Sequence, residues 1–80
     1  MSVESQPLRG VIAGLGVMGS HHLRVLNWLP EAEVLGVVDP QPDRRAAAVR
    51  AYPGLDAHAT LEEALAAHAP EFVCVAVPVD

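Results

Sequence analysis

Six residues near the start of the chain, Gly14-Leu15-Gly16-Val17-Met18-Gly19, are spaced for one kind of chemistry. In a G-x-G-x-x-G turn the first glycine permits a tight bend. The second lets bare backbone approach a diphosphate, and the third lets a helix pack closely on a strand. The motif is weak evidence alone and gains weight only between a strand and a helix. There the unpaired N–H groups of the first helical turn, Val17 and Met18 among them, would face the phosphates, and the helix dipole favours negative charge. A second feature agrees with it. Asp39 stands twenty residues beyond Gly19, matching the separation of about 20 at which such sites place an acid on the ribose hydroxyls. The alternative role for Asp39 is a turn residue before Pro40. A carboxylate repels a 2′-phosphate, so the expected cofactor is NAD in preference to NADP. Arg44 and Arg45 leave NADP open: an arginine just past that acid can accept the extra phosphate, or both can be solvated charges of a helix start.

The remaining reactive side chains carry less. His21, His22, His58 and His68 provide no i, i+4 pair and no carboxylate-flanked helical motif, so no metal site is expected. His68, at the end of a helical stretch, reads as a partner for the helix C-terminal dipole. Cys74 is the only cysteine, which excludes an internal disulfide and a cysteine-based metal site. It reads as a small core residue, and Trp28 as a packing anchor. Glu62 and Glu63 are adjacent and point apart, so they read as first-turn helix acids and not as a catalytic pair.

These residues need elements to position them, and the sequence alternates short apolar runs with helical stretches, the pattern of βαβ units. Leu8 to Ala13 reads as a first strand stopping at the glycines. Val17 to about Trp28 reads as a helix with a broad apolar face of Val17, Met18, Leu23, Val25, Leu26 and Leu29, ended by Pro30. Glu33 to Asp39 is a β-branched second strand. Pro40 and Pro42 make a turn, Asp43 is the expected N-cap, and Arg44 to about Ala51 is a second helix. Asp56 to Ala59 is a short third strand. Thr60 and Glu63 form a capping-box pattern ahead of a third helix, Leu61 to about His68. Phe72 to Val77 is apolar on both faces and expected deep in a sheet.

Composition sets the outer bounds. Eighty residues allow a single domain, with 51% hydrophobic and 4% aromatic residues, an α/β balance. The net charge is −5 and every cation is an arginine, with no lysine anywhere. No basic patch suggests nucleic acid as a partner. The longest apolar run is too short for a bilayer, and residues 1–7 lack the basic region of a signal peptide. A reduced, cytoplasmic setting is the expectation.

Four runs, VIAGLGVMGSHHLRVL (Val11 to Leu26), VLGVVDPQPDRRAAA (Val34 to Ala48), HATLEEAL (His58 to Leu65) and FVCVAVPVD (Phe72 to Asp80), follow in order. In that order they resemble the N-terminal domain of the glucose–fructose oxidoreductase, inositol dehydrogenase and rhizopine-catabolism (Gfo/Idh/MocA) family. The resemblance implies an α/β, Rossmann-type, partial doubly wound parallel sheet of four strands in the order 3-2-1-4, with helices on both faces. It implies a dinucleotide-binding domain over residues 1–80 that is the first part of an NAD(P)-dependent oxidoreductase, with its substrate domain elsewhere. In such enzymes hydride passes between nicotinamide and a carbinol or carbonyl carbon of a sugar or cyclitol.

By the same resemblance, His22 matches a histidine frequent soon after the third glycine, read as structural or solvent-facing. Val77 and Pro78 match the turn beside the nicotinamide half of the cofactor. Val79 departs from the polar residue many members carry there. The family's catalytic lysine lies in a Glu-Lys-Pro segment that a lysine-free chain lacks, so no catalytic residue is expected here and the chain alone is expected to be inactive. The implied cofactor-binding set is therefore Gly14, Gly16, Val17, Met18, Gly19, Asp39, Arg44, Val77 and Pro78. A non-catalytic nucleotide-binding module, self-associating through the Phe72 to Val77 edge, is the alternative from another class. A CoA-binding relative fits less well, since CoA offers no free ribose diol to Asp39.

Overall fold

The structure, a computed structural model, describes residues 6–76. Its seven elements run β1 (Leu8–Ala13), α1 (Val17–Trp28), β2 (Ala32–Val38), α2 (Pro42–Ala51), β3 (Asp56–His58), α3 (Leu61–His68) and β4 (Phe72–Val75). The strands form one parallel sheet in the order β3-β2-β1-β4. No helix among the described residues is long and apolar enough to cross a membrane.

Strand alternation sorts the core into two layers. Ile12 and Val37 face one side of the sheet, where Leu15, Leu23, Ala48 and Leu55 close over them from α1, α2 and their connections. Val11, Ala13 and Val38 face the other side, against Ala64 of α3. Helices therefore cover both faces. Val11, Ile12, Leu23 and Val37 are the largest fully buried side chains, each contributing about 1.5–3 kcal/mol by burial. Val11, Ile12 and Val37 sit at the middle and C-terminal end of β1 and β2, with Leu23 of α1 packed in the same core, close to the end of the sheet from which the loops emerge. The β1–β2 ladder shifts register between Gly10 and Val11: Gly10 pairs with Val34 but Val11 pairs with Gly36, so β2 carries one extra residue.

Several boundaries differ from expectation for local reasons. α2 begins at Pro42, with Gln41 and not Asp43 at its N-cap. The proline ring presets a helical φ and has no N–H to leave unsatisfied at the first position. The N–H groups of Arg44 and Arg45 both reach the Gln41 carbonyl at 3.2 Å. β2 starts one residue earlier than expected and stops at Val38, leaving Asp39 just past its tip. β3 ends at His58.

β4 ends at Val75 and is half-buried, with Val75 62% exposed, so it does not lie deep in the sheet. Among the described residues it pairs only with β1, which leaves its other edge open. Trp28 is no packing anchor but 83% exposed. α1 meets the core through Gly19, Leu23 and Leu26, three and four residues apart, and that spacing turns position 28 outward. Val17, Met18 and Val25 are exposed as well, so the apolar face of α1 is narrower than its sequence implies.

Candidate cofactor-binding site

The glycine turn lies at the corner where β1 passes into α1. Gly14 adopts φ 102°, a conformation that side-chain-bearing residues avoid. Its N–H donates to the Val38 carbonyl at 2.7 Å, tying the turn to the end of β2. A Cβ on Gly19 would collide with the Gly14 carbonyl oxygen, so helix and turn touch backbone to backbone. Leu15 drops its side chain into the core, and its carbonyl accepts the Ser20 hydroxyl at 3.0 Å.

This leaves the start of α1 bare. Gly16 is its N-cap, with no side chain to bond the first-turn N–H groups, and no acid lies in that turn. A Cβ on Gly16 would meet only Arg44 Nη1, at 3.6 Å, so this surface opens into a cleft of about 980 Å³. Val17 and Met18, 88% and 58% exposed, stand at its rim. Bare N–H donors at the positive end of a helix, with no Cβ in front, suit an extended anion such as a diphosphate.

Asp39 faces the same cleft and is 2% exposed. Its Oδ2 accepts the Leu15 N–H at 2.8 Å and its Oδ1 accepts the Gln41 N–H at 2.8 Å. Arg44 Nη1 lies 3.7 Å from Oδ2, and Arg45 donates to the Asp39 carbonyl at 2.8 Å. The buried carboxylate is thus fully compensated, and it clamps the glycine turn to the tip of β2. Each oxygen keeps lone-pair capacity for a further donor, so the clamp and a ribose-binding role are compatible.

Of the residues read from the sequence, Gly14, Gly16, Val17, Met18, Asp39 and Arg44 line this one cleft. Gly19 is buried behind it as the packing contact. Val77 and Pro78 lie outside the described residues. Leu61, Val75, His22 and Gln41 also line the cleft. Leu61 was foreseeable only as a helix start, because a sequence does not reveal that α3 opens beside α1. Cys74 is half-buried against the core, as expected of a small apolar residue.

The model of the oxidoreductase family with an NAD-binding Rossmann fold, Gfo/Idh/MocA, matches residues 8–80. The chain belongs to this family. Inositol 2-dehydrogenase of Corynebacterium glutamicum (strain R) is 37% identical to this family member over 75 residues, 92% of this chain and 22% of the relative. Inositol 2-dehydrogenase of Leifsonia xyli subsp. xyli is 42% identical over 72 residues, 89% of this chain and 21% of the relative. GenD2 from gentamicin A biosynthesis, solved in complex with NAD, superposes with a TM-score of 0.84 at 32% identity, covering 98% of this chain and 22% of that one. The chain therefore spans about a fifth of the length of these relatives. The family supports nicotinamide dinucleotide binding, and the fold agrees with the Rossmann sheet expected from the sequence.

Proposed function

We propose that this chain is the cofactor-holding domain of a dehydrogenase acting on a sugar- or cyclitol-like substrate, with NAD preferred. The observation that carries the reading is the 2.8 Å bond from the Leu15 N–H to Asp39 Oδ2. It sets the bare start of α1 and the Asp39 carboxylate side by side along one cleft, as a diphosphate linked to a ribose requires. Gly14, Gly16, Val17 and Met18 would receive the diphosphate, and Gly19 would hold the helix close enough for them to do so. Asp39 would accept the ribose hydroxyls. Arg44, beside it, would flank the ribose and set how far a 2′-phosphate is tolerated. Val77 and Pro78 would run beside the nicotinamide. The bound cofactor would supply hydride donation or acceptance at the nicotinamide ring. The part of this chain is to bind it, fix its orientation and screen its phosphates.

The substrate class is supported by the relatives named inositol 2-dehydrogenase. Proton transfer and substrate binding would fall to residues of a further domain, so the chain by itself would bind cofactor weakly and turn nothing over. Isothermal titration of the chain with NAD and NADP tests the reading. Binding of NAD, weaker for NADP, is expected. Absence of NAD binding at millimolar concentration sinks the cofactor role, and tighter NADP binding overturns the assignment of Asp39. Turnover of inositol with NAD by the chain alone would overturn the division of labour.

A second reading, self-association through β4, draws on its open edge and the exposed Val75. Light scattering distinguishes the two: a defined dimer favours it and a monomer removes it.

A further inference from the structure

On the outer edge of the sheet, outside the lining of the cleft, three metal-ligating side chains converge. Alternation along β3 turns Asp56 and His58 to the same face, the one covered by α3. His68 comes down on them from the last turn of α3. His58 Nε2 and His68 Nε2 are 3.0 Å apart, His68 Nε2 and Asp56 Oδ2 are 3.6 Å apart, and all three donor atoms lie within 4.8 Å of one another. The two rings meet edge to face.

The neighbouring strand leaves room for this. A Cβ on Gly36 of β2 would stand 2.9 Å from His68 Nε2, so the glycine opens the recess in which that imidazole sits, 12% exposed. None of the three residues lines the dinucleotide cleft.

We propose that Asp56, His58 and His68 form a binding site for a divalent transition metal, zinc being the ion their chemistry fits best. Two imidazoles and one carboxylate are borderline donors that suit zinc, cobalt or nickel and discriminate against magnesium and calcium. An ion about 2.0–2.1 Å from each donor sets tetrahedral ligands about 3.3 Å apart, which the observed 3.0 and 3.6 Å bracket. The Asp56 side chain, 65% exposed, is free to close the remaining gap, and water would take the fourth position. Such an ion would staple β3 to the end of α3. It would also brace the tip of β2, because the His58 carbonyl accepts the Asp39 N–H at 3.0 Å.

The sequence reading missed the site because it sought helical spacings. The signal is an Asp-x-His alternation on a strand, completed by a histidine ten residues on.

Zinc titration of the metal-free chain, followed by calorimetry and thermal denaturation, tests the site. One equivalent is expected to bind and to raise Tm by about 5 °C or more, with magnesium inert. Cobalt should give visible bands of a tetrahedral site that zinc abolishes. His58→Gln and His68→Gln should each weaken zinc about 10- to 100-fold, the scale of effect seen even for outer-shell changes, while His21→Gln leaves it unchanged. If a histidine variant fails to fold by circular dichroism, Asp56→Asn provides the same readout from an exposed position. No stoichiometric zinc binding by the folded chain, or undiminished binding in the His58→Gln/His68→Gln double variant, overturns the proposal and leaves the pair as an ordinary imidazole–imidazole hydrogen bond.

Discussion

Helices α1 and α3 begin beside the same cleft, yet their first turns are completed in opposite ways. α3 satisfies itself. The Thr60 hydroxyl accepts the Glu63 N–H at 3.2 Å, Glu63 reaches back to the Ala59 N–H at 3.1 Å, and Glu62 adds a second acid. α1 has glycine at its N-cap, no side-chain cap and no acid. A helix start with glycine in place of a capping side chain gives up stability, about a few tenths of a kcal/mol. α2 also lacks a side-chain cap, but Pro42 and Asp43 complete its first turn, so α1 is the helix start with neither cap, proline nor acid. The contrast teaches that an uncapped helix start is informative when a capped one in the same fold shows what the sequence can do.

Four substitutions break or sharpen this contrast. Gly19→Val should do most: its side chain meets the Gly14 carbonyl, so α1 must back away. NAD binding should vanish in calorimetry, with a stability loss of about 1–3 kcal/mol from overpacking in denaturant melts. Gly16→Asp would make α1 resemble α3 by supplying the missing cap. Stability should rise by a few tenths of a kcal/mol, while NAD affinity falls more than about tenfold as a carboxylate meets the diphosphate. An unchanged affinity would show that the phosphates do not lie there.

Asp39→Asn keeps the shape of the clamp but loses its charge, and one NH₂ now faces a donor. Stability should fall by about 1–3 kcal/mol, and the preference for NAD over NADP should narrow in paired titrations. Thr60→Ala should be smallest in its effect on binding, removing about 1 kcal/mol of stability with NAD affinity intact. If it weakened NAD as much as Gly16→Asp does, the distinction between the two helix starts would be wrong.

Much of this was legible in the sequence because it rests on local rules. The glycine corner, Asp39 at the tip of the next strand and the Thr60 cap each follow from residue type and spacing, and the family match over residues 8–80 agrees with the resemblance read from four short runs. What escaped depends on contacts between distant segments. Trp28 looked like an anchor, but the phase of α1 is set by Gly19, Leu23 and Leu26 against the sheet, which sequence periodicity blurred. Pro42 was read as a turn residue although its fixed φ suits a helix start equally well. Asp39 reads from the sequence as a ribose ligand or, alternatively, a turn residue; its bond from the Gln41 N–H is a local turn contact, but nothing in the sequence reveals that the distant Leu15 would donate to it as well.

The extra residue in β2 has a consequence for how that strand meets the helical layers. Val34 and Val37 pack into the same cluster, under α1 and α2, although positions three apart on a regular strand look in opposite directions. The insertion resets the alternation midway, so each half of the strand obeys its own parity. Deleting Leu35 would restore a uniform rhythm with Val34 two positions from Val37, so both would stay under α1 and α2 while the strand lost its local irregularity.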